Sequence, residues 1–316
     1  MPFWTRASTT VHRKGACSVS GLSRNAQIQA LQQQEWQAPR FQLLRKLWQK
    51  RTARYSLMIL FAIVILGIIG PWIAPYDPTK TYYDAFLEGP SKDHLLGTDA
   101  IGRDLLSRML YGTRVTLMVA VMAVGITFVL GTLIGVVSAY VGGIVDNILM
   151  RIMEVLLALP GIILALAIVA VLGPSQTNAM IAIGISSIPA FAILIRSAAL
   201  TIKSSGYVEA SRSIGSSNWW IMTNQVIPNI FNVLIVYTTL FVGGAILDTS
   251  ALGFIGLGAQ PPTPEWGTML NEGKDYLSDA WWLATFPGLA ITIIVFTVNI
   301  LGDALRDIFD PKSQGK

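Results

Sequence analysis

YVEASRSIGSSNWWIMTNQVIPN, Tyr207 to Asn229, decides how the rest of the chain is read. It is a polar, helix-forming island between two long apolar segments. Glycine adopts φ > 0 readily and ends helices, so Gly215 predicts a turn between two short helices. Ser216, Ser217 and Asn218 can cap the second of them. Pro228 lacks a backbone donor and sits best in a first turn, so it marks the end of the island and the start of the next apolar helix. The stretch therefore predicts a small helix-turn-helix lying at a membrane surface.

The chain around it has 316 residues, of which 53% are hydrophobic and 13% charged. Such a composition lies outside the soluble range and predicts an all-α polytopic membrane protein. A single cysteine, Cys17, excludes an intramolecular disulfide, and with only His12 and His94 there is no Cys/His metal cluster. The net charge of +5 does not point to nucleic acid, because the basic residues flank apolar segments and are not interleaved with aromatics on one face.

Residues 1–40 read as a polar tail: no apolar core follows Arg6, Arg13 and Lys14, so no signal peptide is expected. Residues 41–54 carry Phe41, Leu44 and Trp48 among Arg45, Lys46, Lys50 and Arg51, the pattern of a basic interfacial helix. Six apolar segments of about the 20 residues that cross a bilayer follow, over 55–74, 115–140, 148–172, 179–200, 229–255 and 281–301. Between the first two, Asp104 can cap a short amphipathic helix lying in the interface. Gly131 and Gly135 form a GxxxG pair, which either admits a neighbouring helix closely or only reflects small residues in a tilted one. Pro160 and Pro189 interrupt the third and fourth spans and are read either as hinges or as static kinks. Asp248, in the fifth span, either lines the pathway or holds helices together. Glu154 reads as a surface partner of Arg151, Asn299 and Asp303 as structural, and Trp281 and Trp282 as interface anchors.

Of the 23 lysines and arginines, 17 fall on the side of the two termini and the Tyr207 island. The other six are Lys80, Lys92, Arg103, Arg108, Arg114 and Lys274. The bias of positive charge to the inside places both termini and the island in the cytoplasm. No enzyme is expected. Gly267 to Asp275, GTMLNEGKD, is one residue too long for a phosphate-binding loop and follows its lysine with Asp, and no HExxH occurs.

Three further stretches carry a family resemblance. The island itself, with Glu209, Ala210, Ser211, then Gly215 and then Pro228, resembles the EAA loop of bacterial ABC importer permeases. Ser211 stands for the usual Ala, and Gln225 stands where many members carry Ile. His94 to Arg114 (HLLGTDAIGRDLLSRMLYGTR), Ala251 to Met269 (ALGFIGLGAQPPTPEWGTM) and Gly302 to Lys312 (GDALRDIFDPK) resemble the C-type permease of dipeptide, oligopeptide, glutathione and nickel importers. The resemblance covers about residues 41–312.

It implies a type I ABC importer permease in a bacterial inner membrane. Its parts would be a first helix and external loop over 55–114, a five-helix core over 115–301 and a cytoplasmic tail over 302–316. The loop at 203–229 would couple to ATPases through Glu209, Ala210, Ser211, Gly215 and Pro228, while Pro160, Pro189 and Asp248 are the candidates for pathway or gate. The implied partners are a B-type permease, two cytoplasmic ATPases holding ATP and Mg, an external solute-binding protein and membrane lipid. No cofactor would be bound by this subunit itself. Di- or oligopeptides, glutathione included, are the expected cargo. Nickel is the alternative, disfavoured because no span holds His or Cys. A secondary transporter or channel subunit is the alternative of another class, but no inverted repeat with matching broken helices is found.

Overall fold

The computed structural model describes residues 47–309. The expected tail over 1–40, residues 41–46 of the expected basic helix, and residues 310–316 lie outside them. The helices are α1 (Arg51–Ile73), α2 (Leu105–Val141), α3 (Gly143–Leu157), α4 (Gly161–Leu172), α5 (Gln176–Lys203), α6 (Gly206–Ser213), α7 (Asn218–Ile221), α8 (Ile227–Asn229), α9 (Phe231–Phe254), α10 (Trp266–Gly273) and α11 (Trp282–Phe309). Five of them, α1, α2, α5, α9 and α11, are long and apolar enough to cross a membrane. The pair α3 and α4, bent by 90° at the break between them, makes a sixth where it crosses as one broken span. Pro160 caps α4, so the expected interruption is a right-angled corner.

The most extensive helix contact joins α2 to α5, and small residues are the cause. A side chain on Gly131 would stand 2.7 Å from the Phe191 ring, and one on Gly135 would stand 2.7 Å from the Ala192 carbonyl oxygen. The GxxxG pair is therefore a close-approach site, of the two readings its spacing left open. Phe191, Ile195 and Ala199 of α5 are buried with Val136 and Ala139 of α2. α9 closes on α11 in the same way: a side chain on Gly243 would meet Asn299 Oδ1 at 2.7 Å.

Several expectations are corrected. Asp104 does cap a helix, accepting from the Ser107 N–H at 2.8 Å, but that helix is α2 and runs on for 37 residues. Nothing after Arg114 breaks it, so the short interfacial helix is the opening of the second span and the expected boundary at 114/115 falls inside one element. Residues 51–54 belong to the membrane helix α1, and residues 302–309 to α11 in place of a tail. α1 ends at Ile73, with Pro71 inside its last turn. Trp282 is no interface anchor: it is 7% exposed and its indole donates to the Thr98 carbonyl at 3.1 Å. Pro189 is buried in an unbroken α5.

Trp282 helps to hold the 75–104 loop against the helix ends. Arg103 and Arg108 complete that anchorage by bridging two carboxylates. Arg103 donates to Asp99 at 2.6 Å and to Glu272 at 2.9 Å, and Arg108 donates to the same two groups at 2.7 Å each. Arg108 is 1% exposed. Removing one member of a buried ion pair leaves its partner uncompensated, at a cost of about 3–5 kcal/mol. The loop is thereby fixed to α10.

Candidate functional site

The island folds as a pair of short helical arms across a glycine turn. Gly215 has φ +84°, and its N–H donates to the Arg212 carbonyl at 3.0 Å while the Ser216 N–H reaches the Ser211 carbonyl at 3.1 Å. These bonds satisfy carbonyls at the end of α6, which is why a residue free to take positive φ is needed there. Ser217 caps α7, accepting from the Trp220 N–H at 3.3 Å. The second arm continues through a π turn over Met222–Val226 into α8, with Pro228 in its first turn. α9 starts only at Phe231, after a break at Ile230, so Pro228 precedes the span and does not open it.

One face of this hairpin is buried and the other is bare. Val208, Ile221, Met222, Val226 and Ile230 pack under the ends of α2 and α5, beside Tyr140 and Ala199. Full burial of such side chains stabilises by about 1.5–3 kcal/mol each, enough to seat the hairpin firmly. Tyr140 also donates its hydroxyl to the Asn218 side chain at 3.0 Å. The seat is completed by Lys203, whose ammonium donates to the carbonyls of Ala139 (2.8 Å) and Tyr140 (2.9 Å), where α2 runs out of internal donors.

On the bare face stand Glu209, Ala210 and Pro228, all exposed; Arg212 is exposed too, but its guanidinium lies 5.7 Å over the ring of Tyr140 at the base. Ile214 at the turn is 83% exposed and Trp219 70%. An apolar tip beside a carboxylate, held on a buried apolar base, has the makeup of a contact surface. Ser211 is half-buried between the arms. Its hydroxyl donates to the Tyr207 carbonyl at 3.0 Å and accepts from the Gln225 amide at 2.5 Å. The two residues that depart from the EAA pattern are thus hydrogen-bonded to each other across the hairpin. In the sequence each departure stands alone, and a separation of 14 residues gives no sign that they meet.

The remaining candidates are dispersed. Pro160 lies at the α3–α4 corner and Pro189 inside α5, while Asp248 is half-buried on α9 with no hydrogen-bond partner among the described residues. Beside the corner, Arg196 of α5 clasps Asp146 of α3 through two bonds, at 2.6 and 2.5 Å, and Ser138 of α2 bonds the same carboxylate. The sequence does not show that clasp; a lone acid just before the third apolar segment and a lone base within the fourth are its only signal. Glu154 pairs with Arg151 at 3.5 Å on the exposed surface, as expected. Among the described residues no group of three or more His, Cys, Asp or Glu is placed to hold a metal ion.

The family described as "Binding-protein-dependent transport system inner membrane component" matches residues 131–315, the hairpin included, and the "N-terminal TM domain of oligopeptide transport permease C" matches residues 40–90. The chain belongs to this family of importer permeases. It is 44% identical to a di/tripeptide transport system permease protein of Pseudomonas aeruginosa, over 85% of this chain and 92% of that one. A glutathione transport system permease protein of Escherichia coli is 41% identical, over 88% of this chain and 92% of its own length. The permease also shares its fold with a chain of the MetNI methionine ABC transporter in an inward-facing form, with a TM-score of 0.53 and 20% identity, over 64% of this chain and 97% of that one. The resemblance read from the EAA hairpin and its three companion stretches is therefore borne out, as is the all-α architecture.

Proposed function

We propose that this permease forms half of a peptide-conducting pathway and that its Gly206–Asn229 hairpin transmits ATP-driven motion from a cytoplasmic ATPase. The observation that carries the second part is the contrast between the two faces of the hairpin: Val208, Ile221 and Val226 are buried against α2 and α5, whereas Ile214, Trp219 and Glu209 are free. A load applied at the Ile214 tip reaches both helices without a flexible link. In this reading Glu209, Ala210, Ser211, Gly215 and Pro228 shape or present the surface, and Pro160, Pro189 and Asp248 lie along the pathway or its gate. A second, B-type permease, two ATPases holding ATP and Mg, and an external solute-binding protein complete the importer, with both termini of this subunit in the cytoplasm. The joining of Lys50 to Asp307 at 3.1 Å supports that arrangement, since it brings the start of α1 and the end of α11 to one side.

Peptide cargo rests on relatives whose names specify di/tripeptides and glutathione. Apolar, small-residue spans without His or Cys suit varied peptides better than a metal needing defined ligands. Reconstitution of the whole importer with its own binding protein tests the reading. Labelled di- or tripeptide should accumulate on addition of ATP; accumulation of nickel with none from a broad peptide mixture would contradict it.

A further inference from the structure

We infer that the groove between α1 and α2 near Ile73 holds a membrane phospholipid, its phosphate on Arg114 and an acyl chain along the groove. Arg114 lies on α2 at the level of Gly67, where a side chain on that glycine would stand 3.7 Å from the Arg114 Cα. Gly67 is six residues short of the end of α1 at Ile73, about 9 Å along the axis by helical rise. The arginine therefore springs from within the apolar band of the helix pair and not from a loop.

Arg114 is exposed, and among the described residues nothing accepts a hydrogen bond or ion pair from it. Its neighbours in sequence and type are treated differently. Arg108 is locked onto Asp99 and Glu272, Arg196 onto Asp146, and Lys203 onto the end of α2. A guanidinium at membrane depth with no protein anion reaches for phosphate at the headgroup level, and its planar fork suits two phosphate oxygens.

Directly beside it is a cavity of about 450 Å³, lined by Val64, Ile68, Leu117, Met118 and Val121, with Trp72 at its rim. Trp72 is 78% exposed at the end of α1, the position in which tryptophan marks the boundary of the hydrocarbon. From Trp72 down to Val64 the groove runs about 12 Å by helical rise, room for the upper part of an acyl chain. Gly67 deepens it, because α1 presents no side chain where Leu117 comes closest. One long cationic side chain rising from the Gly67 level toward the headgroups, with apolar walls around and below its base, matches an amphiphile with one anion and a hydrocarbon tail. A protein partner in the same place would have to bring its own buried carboxylate.

The test is native mass spectrometry of the whole importer, released in mild detergent and stripped of lipid in steps. Wild type and Arg114→Lys should retain a phospholipid on this subunit after bulk lipid is gone. Arg114→Gln should show roughly tenfold lower occupancy, the loss of a charge-assisted contact. Val121→Trp, which fills the groove from an exposed position, should do the same while leaving the complex assembled. Equal retention in all four proteins would overturn the inference. So would disulfide capture of Met118→Cys by a cysteine on the second permease, which would put protein in the groove.

Discussion

At the scale of single residues, Gly215 carries the clearest consequence. Its φ of +84° is a region that L side chains rarely adopt, and the space around its Cα is open, so a substitution strains the backbone without striking a neighbour. Gly215→Val is expected to insert and to keep its partners, yet to lose most ATP-driven uptake, because the Ile214 tip is displaced. Wild-type uptake in that variant, measured in membrane vesicles, would show that the turn does not set the docking surface. Glu265 offers a pH test at the other end of the molecule. It is 1% exposed, and burial pushes its carboxyl above the ordinary glutamate range, although four hydrogen bonds from Gly267, Thr268 and Thr116 favour its ionised form. The folded protein thus holds its proton to higher pH than the unfolded chain does. Its stability should fall as pH rises from the ordinary glutamate range through the raised value. Glu265→Gln should flatten that slope in thermal unfolding curves taken across pH; an unchanged slope would assign it to other groups.

At the scale of elements, the α2–α5 contact depends on two missing side chains. Gly135→Leu would drive Cβ to within 2.7 Å of the Ala192 carbonyl and 3.0 Å of Ile195, with backbone on one side and no flexible group to yield. Overpacking of this kind typically costs about 1–3 kcal/mol, and here it would also tilt the seat of the hairpin. A lower melting temperature and lost uptake are expected together; Gly125→Leu, where no atom lies within 4 Å, is the control that should change neither. This contact was half legible, because GxxxG is a local pattern that spacing alone leaves as either close approach or small residues in a tilted helix. The turn at Gly215 and the cap at Asp104 were fully legible, because each rests on a local signal with one reading. The length of α2 was not, because a short amphipathic run and the first turns of a long helix share one local signal until something stops the helix. The burial of Trp282 and the Asp99–Arg103–Arg108–Glu272 bridges could not be read either. They join residues up to 184 apart in the chain, and separation of that order leaves no periodicity to detect.

At the scale of the whole molecule, α9 is the long apolar helix between the hairpin and the Pro261–Trp266 loop, and its crossing requires the two to face opposite sides. In a Cys17→Ser background, a cysteine at Thr263 should react with an impermeant reagent from outside, whereas one at Ser216 should react only after the membrane is opened. Labelling of Ser216 from outside would invert the topology and remove the hairpin from any cytoplasmic ATPase. The division of the hairpin into a buried base and a bare tip is what links these scales: glycine shapes the turn, the α2–α5 contact fixes its seat, and the crossings set its side. Ile214 tests that link most directly, since it is 83% exposed and supports nothing within its own chain. Peptide uptake driven by ATP should be measured in the reconstituted importer with Ile214→Glu. The variant permease should insert, stay stable and keep its second permease, with uptake reduced by tenfold or more as the ATPases lose their grip. Uptake at the wild-type rate, with the ATPases retained, would contradict that link.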